Sequence, residues 1–123
     1  MLHKRNCYLA AKSCARTISK NKVDFSLIHS HFLGNGFVGA RLKELYERPL
    51  VVTAHGGDVY DLPFRNDRYN TITRFVLGEA DQVITVSRFI AEKLLSLGVS
   101  SSKLHVARLF SKKLEQTVRR YWI

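Results

Sequence analysis

Residues 49–58 constrain the fold of this chain more than any other segment. Their sequence, Pro-Leu-Val-Val-Thr-Ala-His-Gly-Gly-Asp, passes from a short apolar stretch rich in β-branched residues into a histidine and two glycines. Strands that are buried on both faces of a parallel sheet carry such near-continuous Val and Leu, and open α/β sheets bind ligands at the carboxyl ends of their strands. The segment therefore predicts a buried strand that ends at a candidate ligand site.

Comparable strand patterns alternate with helical patterns along the chain, and this alternation predicts the fold class. Strands are predicted at residues 24–32, 50–54 and 82–86, with a short fourth strand at residues 104–106. Helices are predicted at residues 37–47, at residues 88–97 with Ser87 as the N-cap, and in a segment that runs to about Leu77 with Asn66 or Asp67 as its N-cap. Loops are expected at residues 34–36 and 59–64, and Gly78 and Gly98 are expected to end helices. The order indicates an α/β fold: a partial Rossmann-like parallel sheet of three to four strands with flanking helices.

Length and composition fit one domain with a core. The chain has 123 residues, of which 46% are hydrophobic. Its apolar runs are far shorter than the roughly 20 residues of a transmembrane helix, and its amino end lacks the apolar region of a signal peptide. A cytoplasmic location is therefore the default expectation.

The net charge of +10 is concentrated at the two ends of the chain. Residues 1–22 hold six Lys or Arg and no acid, residues 103–123 hold six against one acid, and the middle holds eight against nine. We therefore expect a basic amphipathic helix within residues 1–22, a Rossmann-like domain at residues 23–106 and a basic tail at residues 107–123. Phe110, Leu114, Val118 and Tyr121 form an apolar stripe in that tail. Basic ends suit an anionic membrane surface or an acidic partner; nucleic acid is disfavoured, since its binders carry charge on a domain face.

The cysteines, histidines and glycines favour ordinary structural roles over metal or nucleotide binding. Cys7 and Cys14 are expected to be reduced and half-buried in a helix. His29 and His31 share one face of a strand, but no third metal ligand is evident, so we expect one hydrogen-bonded core group and one crevice residue. The glycines of residues 34–39 match a dinucleotide fingerprint on paper, yet His55 stands where the expected acid would be.

Three segments in order carry a family resemblance. They are Asp-Phe-Ser-Leu-Ile-His-Ser-His at residues 24–31, the segment at residues 49–58, and Ala-Asp-Gln-Val-Ile-Thr-Val-Ser at residues 80–87. Residues 23–106 thus resemble the amino-terminal domain of glycosyltransferase family 4. The resemblance implies half of a GT-B architecture, in which a sugar passes from a nucleotide sugar to a glycan or lipid-linked acceptor with retention of configuration. It implies no metal and no cofactor besides that donor.

The resemblance also implies roles for particular residues. His55 would be the catalytic residue, facing the transferred sugar, with Gly56, Gly57 and Asp58 binding substrate beside it. A histidine there can donate to a hydroxyl, and glycines allow close approach of the backbone. Asp58 would accept a sugar hydroxyl or cap the turn. His31, Gly34 and Asn35 would line the acceptor side of the cleft.

Departures from the family pattern bear on activity and partners. The family's opening strand and glycine-rich loop, and its nucleotide-binding domain, have no counterpart in these residues, so we expect a chain truncated at both ends that is inactive alone. Frame-shifted fragment and split-enzyme subunit with a donor-domain partner both remain open. The strand at residues 25–30 would be a sheet edge, which favours self-association or coverage by the first helix. A noncatalytic carbohydrate-binding module and a basic peripheral membrane binder are the alternatives.

Overall fold

A computed structural model describes residues 4–107, which form one four-stranded sheet and its helices. In chain order the elements are α1 (Lys4–Lys20), β1 (Ile28–His31), α2 (Leu33–Tyr46), β2 (Leu50–Ala54), α3 (Gly57–Tyr60), α4 (Leu62–Arg65), α5 (Asp67–Glu79), β3 (Gln82–Thr85), α6 (Arg88–Ser96), a 3-10 turn (Ser101–Lys103) and β4 (Leu104–Val106). The predicted stripe of residues 110–121 and the start of the predicted first helix lie outside the described residues.

All strand pairs are parallel, in the order β1-β2-β3-β4, which confirms the predicted α/β class. Each strand adds to the same side of its predecessor, and right-handed crossovers then place α2, α5 and α6 on one face of the sheet. Leu50, Val52 and Leu94 are fully buried in the core on that face. Each such side chain contributes about 1.5–3 kcal/mol of burial free energy.

The opposite face of the sheet remains open among the described residues. Val51 and Ile84 on this face are half-buried, and Gln82 and His105 are exposed. Strand β1 forms the sheet edge, because its only strand partner in the described part is β2. The edge position was predicted from the sequence. Helix α1 packs against α2, where the hydroxyl of Tyr46 donates to the carbonyl of Ala15.

Several predicted boundaries are wrong, and each has a local cause. The first strand begins at Ile28 instead of Asp24, since its partner strand begins only after Pro49, whose carbonyl accepts from the Ile28 amide. The predicted loop at residues 34–36 is the first turn of α2. Gly36 permits this helix to lie directly on Val52 and Val76. Residues 59–64 form two helical turns rather than a loop.

Helix α5 continues through Gly78, which was expected to end it. Two lysines from other elements satisfy the carbonyls at its carboxyl end: Lys103 donates to Leu77 and Ala80, and Lys43 donates to Glu79. These bonds replace a glycine cap. The predicted N-caps are confirmed. The side chain of Asn66 accepts from the amide of Tyr69 in α5, and that of Ser87 accepts from the amide of Ile90 in α6. Cys14 is a free thiol as expected, but it is exposed rather than half-buried.

Candidate functional site

The two histidines predicted from the strand ends lie side by side. His31 is the last residue of β1, and His55 follows the last residue of β2, whose Thr53 is in register with His31. Nδ1 of His31 lies 3.1 Å from Nε2 of His55, and both residues are exposed. One ring must donate and the other accept, so one N–H group lies in the contact between the two rings. The contact leaves the second nitrogen of His55 for a ligand.

His29 extends this pair into a row of three imidazoles. Its ring centroid lies 4.5 Å from that of His31, and its Nε2 lies 2.7 Å from the hydroxyl oxygen of Thr53. Partial desolvation of its ring lowers the pKa of His29, and the nearby His31 lowers it further. The hydrogen bond was expected, but His29 is an exposed residue and not a core group. Within residues 4–107 no cluster of three or more His, Cys, Asp or Glu side chains could hold a metal ion.

Phe32 completes the surroundings of His55 and was not singled out from the sequence. The two ring centroids are 4.3 Å apart, with an angle of 32° between the planes. Phe32 has a φ of 68° and a ψ of 144°, a conformation that is sparsely populated by residues with a side chain and costs on the order of 1–3 kcal/mol. The local sequence does not predict this conformation, because it depends on contacts between β1, α2 and His55.

Asp58 holds the loop that presents His55. Its Oδ1 accepts hydrogen bonds from the amides of His55 and Gly56, and its Oδ2 accepts from the amide of Leu33. The side chain is only 8% exposed. Three backbone amides already bond to this buried carboxylate, so the geometry favours the turn-capping alternative for Asp58. It ties the end of β2 to the start of α2.

The two glycines after His55 differ in their surroundings. Gly56 is buried and has a φ of 151°, and a Cβ atom on it would lie 3.3 Å from Cε1 of Tyr60. Only glycine suits this conformation and this close approach. Gly57 is exposed, and a Cβ on it would meet nothing within 4 Å. Of the pair, Gly57 is therefore the one with room for a ligand.

Gly34 and Asn35 lie in the first turn of α2, close to the histidine pair. The Nδ2 group of Asn35 donates to the carbonyl of His31 at 2.9 Å, and Asn35 is exposed. Gly34 is half-buried and lines an enclosed gap of about 30 Å³ together with Asp58, a space too small for a sugar. Asn35 therefore lies on the accessible side of the site, whereas Gly34 faces the buried Asp58.

The larger grooves of the described domain lie elsewhere. A groove of about 500 Å³ runs between α2 and α5 beside Phe37 and Phe75, and one of about 460 Å³ runs between α1 and α2. Neither groove is lined by His31 or His55. The candidate site is instead an open ledge at the carboxyl edge of the sheet, of the kind that a second domain or a large substrate can cover.

None of the helices between residues 4 and 107 has the length and apolar character needed to cross a bilayer. This finding agrees with the short apolar runs of the sequence.

A comparison with known protein families covers the described residues as a whole. The family model described as Glycosyltransferase Family 4 matches residues 2–108 of the 123-residue chain. A search of curated proteins returns no significant match. The family match covers all four strands and every predicted site residue. The chain therefore belongs to glycosyltransferase family 4.

Proposed function

We propose that this domain is the acceptor side of a retaining glycosyltransferase that moves a sugar from a nucleotide sugar to a glycan or a lipid-linked acceptor. One observation carries the proposal: His31 and His55 share a hydrogen bond at the adjacent carboxyl tips of two parallel strands. Ligands of open α/β sheets bind at this edge. Membership of family 4 supplies the class of reaction.

In the proposed reaction an acceptor hydroxyl oxygen bonds to the anomeric carbon of the donor sugar. The bond from that carbon to the phosphate oxygen breaks, and the nucleoside diphosphate leaves with its electron pair. The proton of the acceptor hydroxyl passes to the phosphate oxygen that leaves. His55 binds a hydroxyl of the transferred sugar or of the acceptor through the ring nitrogen that His31 does not occupy. His31 and Asp58 act as positioning residues, the first on the ring of His55 and the second on its backbone.

We also propose that the 123-residue chain binds acceptor without transferring sugar by itself. The support is the resemblance to family 4, in which the nucleotide is held by a carboxyl-terminal domain. The proposed step uses no metal, again in line with that resemblance. A noncatalytic carbohydrate-binding module would show the same binding. It would differ in releasing no nucleoside diphosphate even when a donor domain is supplied together with the nucleotide sugar.

The test measures acceptor binding and sugar transfer separately. Ligand-observed NMR with a panel of glycosides and short-chain lipid-linked sugars would compare wild type, His55→Ala and the control His105→Ala, whose residue lies on β4 beside Gln82. We expect wild type and control to bind equally. His55→Ala should bind at least about fivefold more weakly, because it loses one to two hydrogen bonds to the ligand. Equal binding by His55→Ala would refute the acceptor site. Release of nucleoside diphosphate by the chain alone would refute its proposed inactivity.

A further inference from the structure

Two pairs of aromatic rings lie along the carboxyl edge of the sheet. Phe32 lies beside His55, and the centroid of Tyr60 lies 6.2 Å from that of Phe89. The ring of Tyr60 lies close to Gly56, the residue after His55. We call Phe32, His55, Tyr60 and Phe89 the aromatic shelf. It runs from the tip of β1 to the first turn of α6, and only His55 in it was predicted as a site residue.

The shelf is exposed although the core beneath it is well packed. Phe32, Tyr60 and Phe89 are 49%, 51% and 59% exposed, whereas their neighbours Val59 and Ile90 are buried. Tyr60 and Phe89 do not stack on each other, since their planes meet at 56°. Single exposed aromatic residues need no explanation, but two exposed pairs of rings beside a candidate site indicate a binding surface.

We propose that the aromatic shelf binds a sugar ring of the acceptor, with Tyr60 and Phe89 as its stacking platform. This inference rests on the proposed acceptor function and extends the acceptor site to two residues besides His31 and His55. A pyranose ring has an apolar face of C–H groups and a rim of hydroxyls. The C–H face suits the ring faces of Tyr60 and Phe89, and the hydroxyls suit the imidazole of His55.

The polarity of the surface favours a sugar over a lipid chain. The hydrogen-bonded imidazoles of His31 and His55 lie at one end of the shelf, and burying them in hydrocarbon would carry a desolvation cost. Asp61, the residue after Tyr60, carries an exposed carboxylate paired with Arg65 at 2.6 Å. Surfaces that enter membranes combine contiguous apolar area with basic residues. The imidazoles and the Asp61 carboxylate beside the aromatic rings suit the mixed apolar and hydroxyl character of a sugar better.

The shelf can be tested with substitutions that remove a ring and keep an apolar side chain. Tyr60→Leu and Phe89→Leu would be compared with Phe75→Leu, because Phe75 is also exposed but lies on α5 beside Phe37. The full chain would be titrated with methyl glycosides and disaccharides of common hexoses, observed by saturation-transfer NMR. Flotation with phosphatidylcholine–phosphatidylglycerol vesicles would run in parallel, and thermal unfolding would confirm that the variants fold.

We expect wild type and Phe75→Leu to bind the same glycosides, and Tyr60→Leu and Phe89→Leu to bind them about 3–10-fold more weakly, the range of one aromatic contact. If His55→Ala weakens binding and the two shelf variants do not, the shelf is refuted while the proposed function stands. If wild type binds no glycoside, both fail. Vesicle binding that is lost in the shelf variants, without glycoside binding, would overturn the choice of a sugar.

Discussion

Nδ1 of His31 and Nε2 of His55 lie 3.1 Å apart, so one hydrogen bond joins the tips of two neighbouring strands. The bond fixes which nitrogen of His55 is occupied and which remains for a ligand. The ring orientation of His55 is thus set by the partner ring as well as by its own loop.

Replacing His31 by phenylalanine should therefore remove the hydrogen bond to the His55 ring and leave the ring itself in place. We expect the Nε2 resonance of His55 to move in long-range ¹H–¹⁵N spectra of His31→Phe, and acceptor affinity to fall by about 2–10-fold, the worth of one hydrogen bond. His105→Phe serves as the matched control on β4. An unchanged His55 spectrum in His31→Phe would show that the two rings are not hydrogen-bonded in solution.

The lowered pKa of His29 predicts a pH dependence of stability. Partial desolvation and the neighbouring His31 keep the folded ring neutral at a pH where the unfolded ring, with an ordinary pKa of about 6.5, is already protonated. The unfolded state then binds more protons, so stability is complete above that pH and falls as the pH drops through the folded pKa. Urea unfolding on either side of about pH 6.5 should show a larger loss for wild type than for His29→Gln. Equal losses would contradict the prediction.

Asp58→Asn should destabilise the domain although it changes only one atom. An asparagine can accept from Leu33 or from the His55 and Gly56 amides, but its NH₂ group must then face the remaining N–H donors. We expect a loss of about 1–3 kcal/mol in the free energy of unfolding. Asp67→Asn, an exposed acid in the first turn of α5, should cost no more than about 0.3–1 kcal/mol. Similar costs for both variants in chemical denaturation would argue against the bridging role of Asp58.

Local chemistry explains which features could be predicted from the sequence. The caps at Asn66 and Ser87 bond to amides three residues away, and the parallel α/β class follows from the alternation of strand and helix patterns, so both were predictable. The helix that continues through Gly78 depends on Lys103, 26 residues from Leu77, whose carbonyl it satisfies. Asp58 likewise bonds to Leu33, 25 residues away. Such contacts between distant residues leave no signal in a local pattern.

The two faces of β2 offer a comparison between adjacent valines. Val52 is fully buried against the helices, whereas Val51 points to the open face and is only half-buried. Truncating Val52 to alanine removes two methyl groups from the core and leaves a cavity, for an expected cost of about 2–3 kcal/mol. Val51→Ala should cost about 1 kcal/mol or less. Equal costs would mean that the open face is covered in the protein under the conditions of measurement.

Two glycine-to-alanine substitutions should change stability in opposite directions. Gly36 and Gly78 both lie within helices, but a Cβ on Gly36 would collide with Cγ1 of Val76, whereas one on Gly78 would meet nothing within 4 Å. Gly36→Ala must push α2 away from α5 and the sheet, which we expect to cost about 1–3 kcal/mol. Gly78→Ala gains helix propensity in open space and should add about 0.5–1 kcal/mol. Chemical denaturation of the two variants beside wild type measures both effects. A stabilised Gly36→Ala would show that the helix does not lie so close to Val76, and a destabilised Gly78→Ala would show that α5 ends before Gly78.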